Sequence, residues 1–200
     1  TLSLLLSMSR RIPQAARDAV SGPWDRYQYA GVLFSELRVG IIGYGRNGKM
    51  LGKYLKSLDI EFKSYDSDEQ KKDSSSLSDF DELLTSSNVV VLCIDYRPEN
   101  IGFFGADAFK KMRPESTFIN TARGALIDES ALIEAIDSRS IHSAAVDVII
   151  GEEDVESNIL IRYAKNNKYL EVTPHIAGCS SLAWRQTEEI VANCISELLT

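Results

Sequence analysis

Histidine occurs only twice in these 200 residues, cysteine three times and proline five times. His142 and His175 fall on different expected elements without dense ligand spacing, so there is no recognisable zinc site. Cys93, Cys179 and Cys194 are odd in number and widely spaced, with no C-x-x-C pair; a reducing cytoplasm suits them best. Positive charge is also scarce. The net charge is -7, and Arg10-Arg11 and Lys71-Lys72 are too short to be basic patches, which argues against a nucleic-acid partner. No run approaches ~20 apolar residues, so a membrane partner is not expected. Leu2 to Met8 is apolar, but Arg10-Arg11 follows it without a convincing small-residue cleavage site. It reads as an amphipathic helix rather than a signal peptide.

What is present is ordinary in bulk, with 44% hydrophobic and 26% charged residues. A chain of this length can bury a full core and is most simply one domain. The informative stretch is Gly40 to Gly48, which follows Leu37-Arg38-Val39. Its apolar start reads as a buried strand, and Gly43, Gly45 and Gly48 then give the G-x-G-x-x-G spacing. Gly43 suits the tight turn, Gly45 a close backbone approach to a pyrophosphate, and Gly48 tight helix–strand packing; the pyrophosphate would sit on the N–H groups at the helix start. Ile60 to Tyr65 supplies a second strand, ending beside Asp66, 23 positions after the first glycine. A carboxylate there reaches ribose hydroxyls and repels a 2′-phosphate, favouring NAD over NADP, unless Asp66 is only a turn acid at a strand end.

Further along, Leu2 to Val20 reads as helical with a break or restart at Pro13, and Ser21-Gly22-Pro23 as a turn before Trp24, Tyr27 and Tyr29. Helices are expected over Asn47–Ser57, Phe80–Leu84, Ala106–Met112 and Ser130–Ile136, and strands over Val89–Ile94, Thr117–Asn120, Ala144–Val148 and Tyr169–Val172. Asp68 to Ser78 is a polar, serine-rich loop. Ser180 or Ser181 caps a long last helix with Ile190, Val191, Cys194, Ile195 and Leu198 on its apolar face. Short apolar strands alternating with helices predict an α/β fold, a Rossmann-type doubly wound parallel sheet with helices on both faces.

Ligands in such sheets bind at the carboxyl ends of the strands. That rule selects Gly43, Tyr44, Gly45, Arg46, Asn47 and Gly48, then Asp66, then Cys93 to Pro98, Ile94 included. It also selects Asn120 to Gly124, including Thr121 and Ala122, and lastly Asp147 and the loop from His175 to Gly178. Arg123 presents a rigid fork of donors to a substrate carboxylate and a neighbouring carbonyl, unless it merely pairs with Asp128 or Glu129. His175 can give and take a proton near neutral pH, as alcohol–ketone interconversion beside a nicotinamide requires. His142 lies at the opposite edge of the sheet and reads as structural or exposed. Glu152, Glu153 and Asp154 are comparable candidates to orient His175, and Asp147 to accept a hydrogen bond from the nicotinamide carboxamide.

Gly43-Tyr44-Gly45-Arg46-Asn47-Gly48, Met112-Arg113-Pro114 through Asn120-Thr121-Ala122-Arg123-Gly124, Ala144 to Val148 with Glu152, and Thr173-Pro174-His175-Ile176-Ala177-Gly178 occur in that order. Together they closely resemble the cofactor-binding domain of the D-isomer-specific 2-hydroxyacid dehydrogenases, from the opening helix almost to the C-terminus. The resemblance implies an NAD-dependent reaction on a small 2-hydroxy or 2-keto acid. Arg123 would hold the substrate, His175 act as acid/base and Glu152, five residues beyond Asp147, be its partner. It also implies a homodimer formed through this domain, with the opening helix and Trp24 as interface elements.

Two departures stand out. Cys93 and Asp95 replace a histidine and a proline often found after the third strand, and Glu153 replaces a proline after the family glutamate. Residues 1–200 read as one NAD-binding domain, with 1–30 a helical and connecting segment; the separate substrate-binding domain of such enzymes is not represented. A corepressor-like NAD(H)-binding interaction module and a formate or phosphite dehydrogenase relative are the alternatives to a 2-hydroxyacid enzyme.

Overall fold

The structure, a computed structural model, describes residues 1–22, 24–68 and 78–198. Pro23 of the expected turn, most of the serine-rich loop and the pair Lys71-Lys72 lie outside the described residues. The strands are β1 (Arg38–Ile42), β2 (Glu61–Tyr65), β3 (Val89–Leu92), β4 (Thr117–Asn120), β5 (Ser143–Val146) and β6 (Leu170–Val172). They pair in parallel in the order β2-β1-β3-β4-β5-β6. The doubly wound sheet inferred from the sequence is therefore present.

Each central strand buries both faces, and its alternation divides the core in two. Ile42, Val90, Leu92, Phe118, Ala144 and Val146 point to one side; Val39, Ile41, Val89, Val91, Ile119 and Ala145 point to the other. On the first side lie α4 (Phe80–Ser86), α5 (Ala106–Lys111), α6 (Glu129–Asp137) and α7 (Ile159–Ala164). Phe104, Phe109 and Phe118 form a fully buried cluster there, with ring centroids 4.6–5.1 Å apart. Burying each such ring contributes about 1.5–3 kcal/mol. The second side carries α1 (Leu2–Ser9) and α3 (Arg46–Ser57), contributing Leu5, Met8, Leu51 and Leu55. Pro13 opens α2 (Ile12–Ala19), so the expected break at that proline is a restart.

Side-chain caps set several helix starts. Asp79 accepts from the Asp81 and Glu82 amides, Asp128 from Ala131 N, and Asn158 from Leu160 N and Ile161 N. Three expectations need correction. β3 and β5 end at Leu92 and Val146, because the chain turns away from the sheet there to form the loops of the cleft. The sequence reading missed α7, six residues long. In α8 (Ser181–Leu198) no described residue is buried: Ile190, Val191, Cys194, Ile195 and Leu198 are all exposed. Trp24 and Tyr27 are likewise exposed.

His142 is structural, its ring set edge-on to Tyr169 at 5.4 Å, with its pKa lowered first by burial and then by Arg11. Among the described residues no helix is long and apolar enough to cross a membrane.

β1 and α3 meet through the first and third glycines. Gly43 has φ +94°, a conformation only glycine adopts without strain, and a Cβ at Gly48 would stand 2.1 Å from the Gly43 carbonyl oxygen. Gly48→Ala therefore has to push α3 off β1. Its expected cost is about 1–3 kcal/mol, read as a fall in the denaturant midpoint, with loss of coenzyme affinity beyond the stability effect. An unchanged midpoint would refute this contact.

Candidate active site

The carboxyl ends of the strands line a continuous cleft with two lobes. The first, about 780 Å³, is walled by Gly43, Gly45, Arg46 and Asn47 on one side and by Asp95, Arg97, Asn100 and Phe103 on the other, with Asp66 at one end. The second, about 710 Å³, contains Thr121, Ala122, Arg123, His175, Ala177 and Gly178. Arg46, Asn47, Cys93, Ile94 and Asp95 line both lobes and mark where they join.

The first lobe suits a dinucleotide. A Cβ at Gly45 would meet no heavy atom within 4 Å, so the backbone at the start of α3 faces open space that a diphosphate can enter. Asp66 accepts from Tyr44 N at 2.8 Å and from Asp68 N at 3.0 Å, which fixes its carboxylate at the end of β2 on the lobe wall. Gly43, Gly45, Arg46, Asn47, Asp66, Cys93 and Ile94 thus come together as expected. Three others do not line the lobe. The Tyr44 ring packs near Phe62, Gly48 is buried under the turn, and Pro98 opens a 3-10 turn whose neighbours Arg97, Glu99 and Asn100 face the cleft instead. Arg97 is held by Asp95 at 2.6 Å. The sequence reading did not reach Asn100 or Phe103, which lie on the loop beyond Pro98.

Burial pushes the Cys93 thiol up to about 12, so it stays protonated at neutral pH. Asn120, fully buried at the end of β4, donates to Arg123 O and accepts from Ala122 N, both at 3.0 Å, and so shapes the turn that carries Arg123. The Arg123 guanidinium does not pair with either expected acid. Asp128 caps α6, and Glu129 accepts from Ile150 N and Asn158.

His175 follows β6 with φ +51°, a left-handed conformation that costs a non-glycine residue of order 1 kcal/mol. Asp147 holds the loop in place. Its carboxylate accepts from Ile176 N at 3.0 Å, from Ala177 N at 2.8 Å and from the Thr173 hydroxyl, while its carbonyl accepts from His175 N. Asp147 is 2% exposed and lines a smaller apolar cavity behind His175 rather than the cleft. The carboxylate expected to accept from a nicotinamide carboxamide thus accepts three hydrogen bonds from the 173–177 segment. Of the three acids at 152–154, Glu152 is the one placed on His175, with Oε2 2.7 Å from Nδ1. A carboxylate only accepts, so Nδ1–H donates and Nε2 is left for chemistry in the second lobe.

A family model described as D-isomer specific 2-hydroxyacid dehydrogenase, NAD binding domain, matches residues 2–177. D-3-phosphoglycerate dehydrogenase of Archaeoglobus fulgidus is 33% identical over 198 residues, covering 97% of this chain and 37% of that protein. Glycerate dehydrogenase of Methylorubrum extorquens is 32% identical over 188 residues, covering 91% of this chain and 58% of that protein. The solved structure of D-2-hydroxyisocaproate dehydrogenase superposes with a TM-score of 0.91 at 21% identity, over all of this chain and 64% of that one; at that identity it bears on the fold alone. The chain thus spans between about a third and three-fifths of the length of these two relatives.

Asp66→Ser should weaken NADH more than NADPH in a fluorescence titration, narrowing the preference by about tenfold, near the energy of one charge-assisted hydrogen bond. An unchanged ratio would remove Asp66 from the ribose site. In the folded chain at mildly alkaline pH, a thiol reagent should label exposed Cys179 and Cys194 faster than Cys93, which is half-buried and has its thiol pKa raised. Equally rapid labelling of Cys93 would contradict that raised pKa.

Proposed function

The chain belongs to the D-isomer specific 2-hydroxyacid dehydrogenase family, whose NAD binding domain it represents, and from that premise we propose that its parent protein interconverts a D-2-hydroxy acid and the corresponding 2-keto acid. The observation that carries this reading is the His175–Glu152 pair, with its imidazole on the same lobe as Arg123 and continuous with the glycine turn.

NAD, held on Gly43 to Asn47 and Asp66, supplies hydride acceptance or donation when bound. In the reduction direction the Arg123 fork binds the substrate carboxylate and faces the carbonyl oxygen. Negative charge grows on that oxygen as it becomes an alkoxide, and a fixed guanidinium stabilises it more strongly than it does the ground-state carbonyl. His175 passes a proton from Nε2 to the same oxygen. Glu152 holds the Nδ1 side, orienting the ring and balancing its charge when both nitrogens are protonated. In oxidation the same atoms run in reverse, with neutral Nε2 taking the hydroxyl proton.

Residues 1–200 serve as the NAD-binding domain, with 1–30 connecting it to the rest of the protein, and a substrate-binding domain outside these residues completes the carboxylate pocket and excludes water. The exposed Trp24, Tyr27, Leu33 and Phe34 suit a homodimer formed through this domain. The three unpaired cysteines suit a cytoplasmic location.

The test is turnover by the full-length protein against a panel of 2-keto acids with NADH. His175→Ala should lower kcat by about 10²–10⁴-fold with NADH affinity unchanged, whereas Arg123→Ala should chiefly raise KM for the keto acid. Undiminished turnover in the histidine variant would reject the acid/base role. Tight NADH binding with no turnover on any acid would favour an interaction module.

A further inference from the structure

The turn that carries Glu152 has little to hold it in place by itself. Residues 151–157 are all exposed, and the turn is bonded by Asp154 N to Gly151 O, by Ser157 Oγ to Asp154 and, at its far end, by Asn158 N to Val155 O. Yet Glu152 meets His175 at 2.7 Å. The restraint comes from the two ends of the turn, where a closed ring of hydrogen bonds joins Glu129, Ile150 and Asn158. Glu129 Oε1 accepts from Ile150 N at 2.8 Å, Glu129 Oε2 accepts from Asn158 Nδ2 at 2.9 Å, and the same nitrogen donates to Ile150 O at 2.9 Å. Both polar groups of Ile150 are thereby fixed by side chains. Asn158 in turn is anchored by its oxygen, which caps α7.

We propose that Glu129, acting with Asn158, is a positioning residue that clamps the ends of the 151–157 turn and so holds Glu152 against His175.

Glu129 and Asn158 are 5% and 7% exposed, so neither reaches a ligand. A helix-start acid would ordinarily face solvent, and Asp128 already caps α6, so the inward carboxylate does not serve the helix. Its burial has a cost: desolvation raises the Glu129 pKa, against the two hydrogen bonds that lower it. Stability held by the protonated form is present below the ordinary carboxylate range and lost as pH rises through the raised value. The same backbone also meets the arginine turn. A Cβ at Gly124 would lie 2.1 Å from Ile149 C, so the peptide joining Ile149 and Ile150 supports Arg123 on one side and Glu152 on the other. One buried carboxylate thus sets the spacing of two groups on separate loops.

This inference rests on His175 being the acid/base, and its test therefore reads the imidazole itself. Long-range ¹H–¹⁵N spectra of the 200-residue chain, recorded at a pH where the ring carries a single proton, report which ring nitrogen holds it. His142 is the internal control. The expected result is an Nδ1–H tautomer at His175 that reverts towards Nε2–H in Glu152→Gln, in Glu129→Ala and in Asn158→Ala. Adding Glu129→Ala to Glu152→Gln should change nothing more. Glu129→Gln keeps the volume and the acceptor for Ile150, and should retain the most Nδ1–H character of the Glu129 variants, even if the alanine variant folds poorly.

A folded Glu129→Ala or Asn158→Ala protein that keeps the Nδ1–H tautomer, whatever its stability, would overturn the proposal, as would a wild type lacking that tautomer. In the full-length protein, Glu129→Ala should lower kcat about tenfold with NADH affinity unchanged. A tautomer shift without loss of kcat would fault the acid/base reading of His175 and leave the clamp standing.

Discussion

Between β1 and β3 the parallel sheet changes the direction in which it grows. β1 leads into α3 on one face, and β3 leads towards α5 on the other, so the two connections part and, among the described residues, leave the strand ends open. This divergence creates the cleft. The glycine turn after β1 forms one wall and the loop after β3 the other, with Cys93 and Ile94 where the lobes join. The close contact at Gly43 and Gly48 keeps α3 near enough to β1 for its start to face that space. A bulkier residue at either glycine would shift the helix and with it the diphosphate cradle.

Around the second lobe, function depends on polar groups that are themselves buried. Asn120 shapes the Arg123 turn, Asp147 staples the His175 loop, and Glu129 with Asn158 closes the Glu152 turn. Burying such groups costs free energy unless each finds partners, and here each does. The exposed residues proposed to act on a substrate are thus held by satisfied interior ones, which a static arrangement of loops at the edge of a sheet requires. The left-handed backbone at His175 belongs to the same scheme, a local strain offset by the bonds Asp147 makes around it.

The local sequence determined the features whose cause is local. The apolar runs at 38–42, 89–92 and 117–120 could only be buried strands, the glycine spacing required a tight turn against a helix, and Pro13 could only open a helix or interrupt one. The motif blocks likewise placed Arg123, Glu152 and His175 at strand ends. Tertiary structure decided the rest, because hydrogen bonds between distant segments leave no periodicity to read. Among Glu152, Glu153 and Asp154, spacing from the residues left three choices and the resemblance favoured one; the fold shows that one on His175. Asp147 read as a coenzyme ligand by its position after β5; only the fold shows its carboxylate accepting from a loop 26–30 residues away. Glu129 entered the sequence reading only as a possible partner of Arg123. Only the packing of α6 against the chain around Ile150 turns it inward, since whether a side chain meets solvent or a partner depends on what the folded chain brings to it.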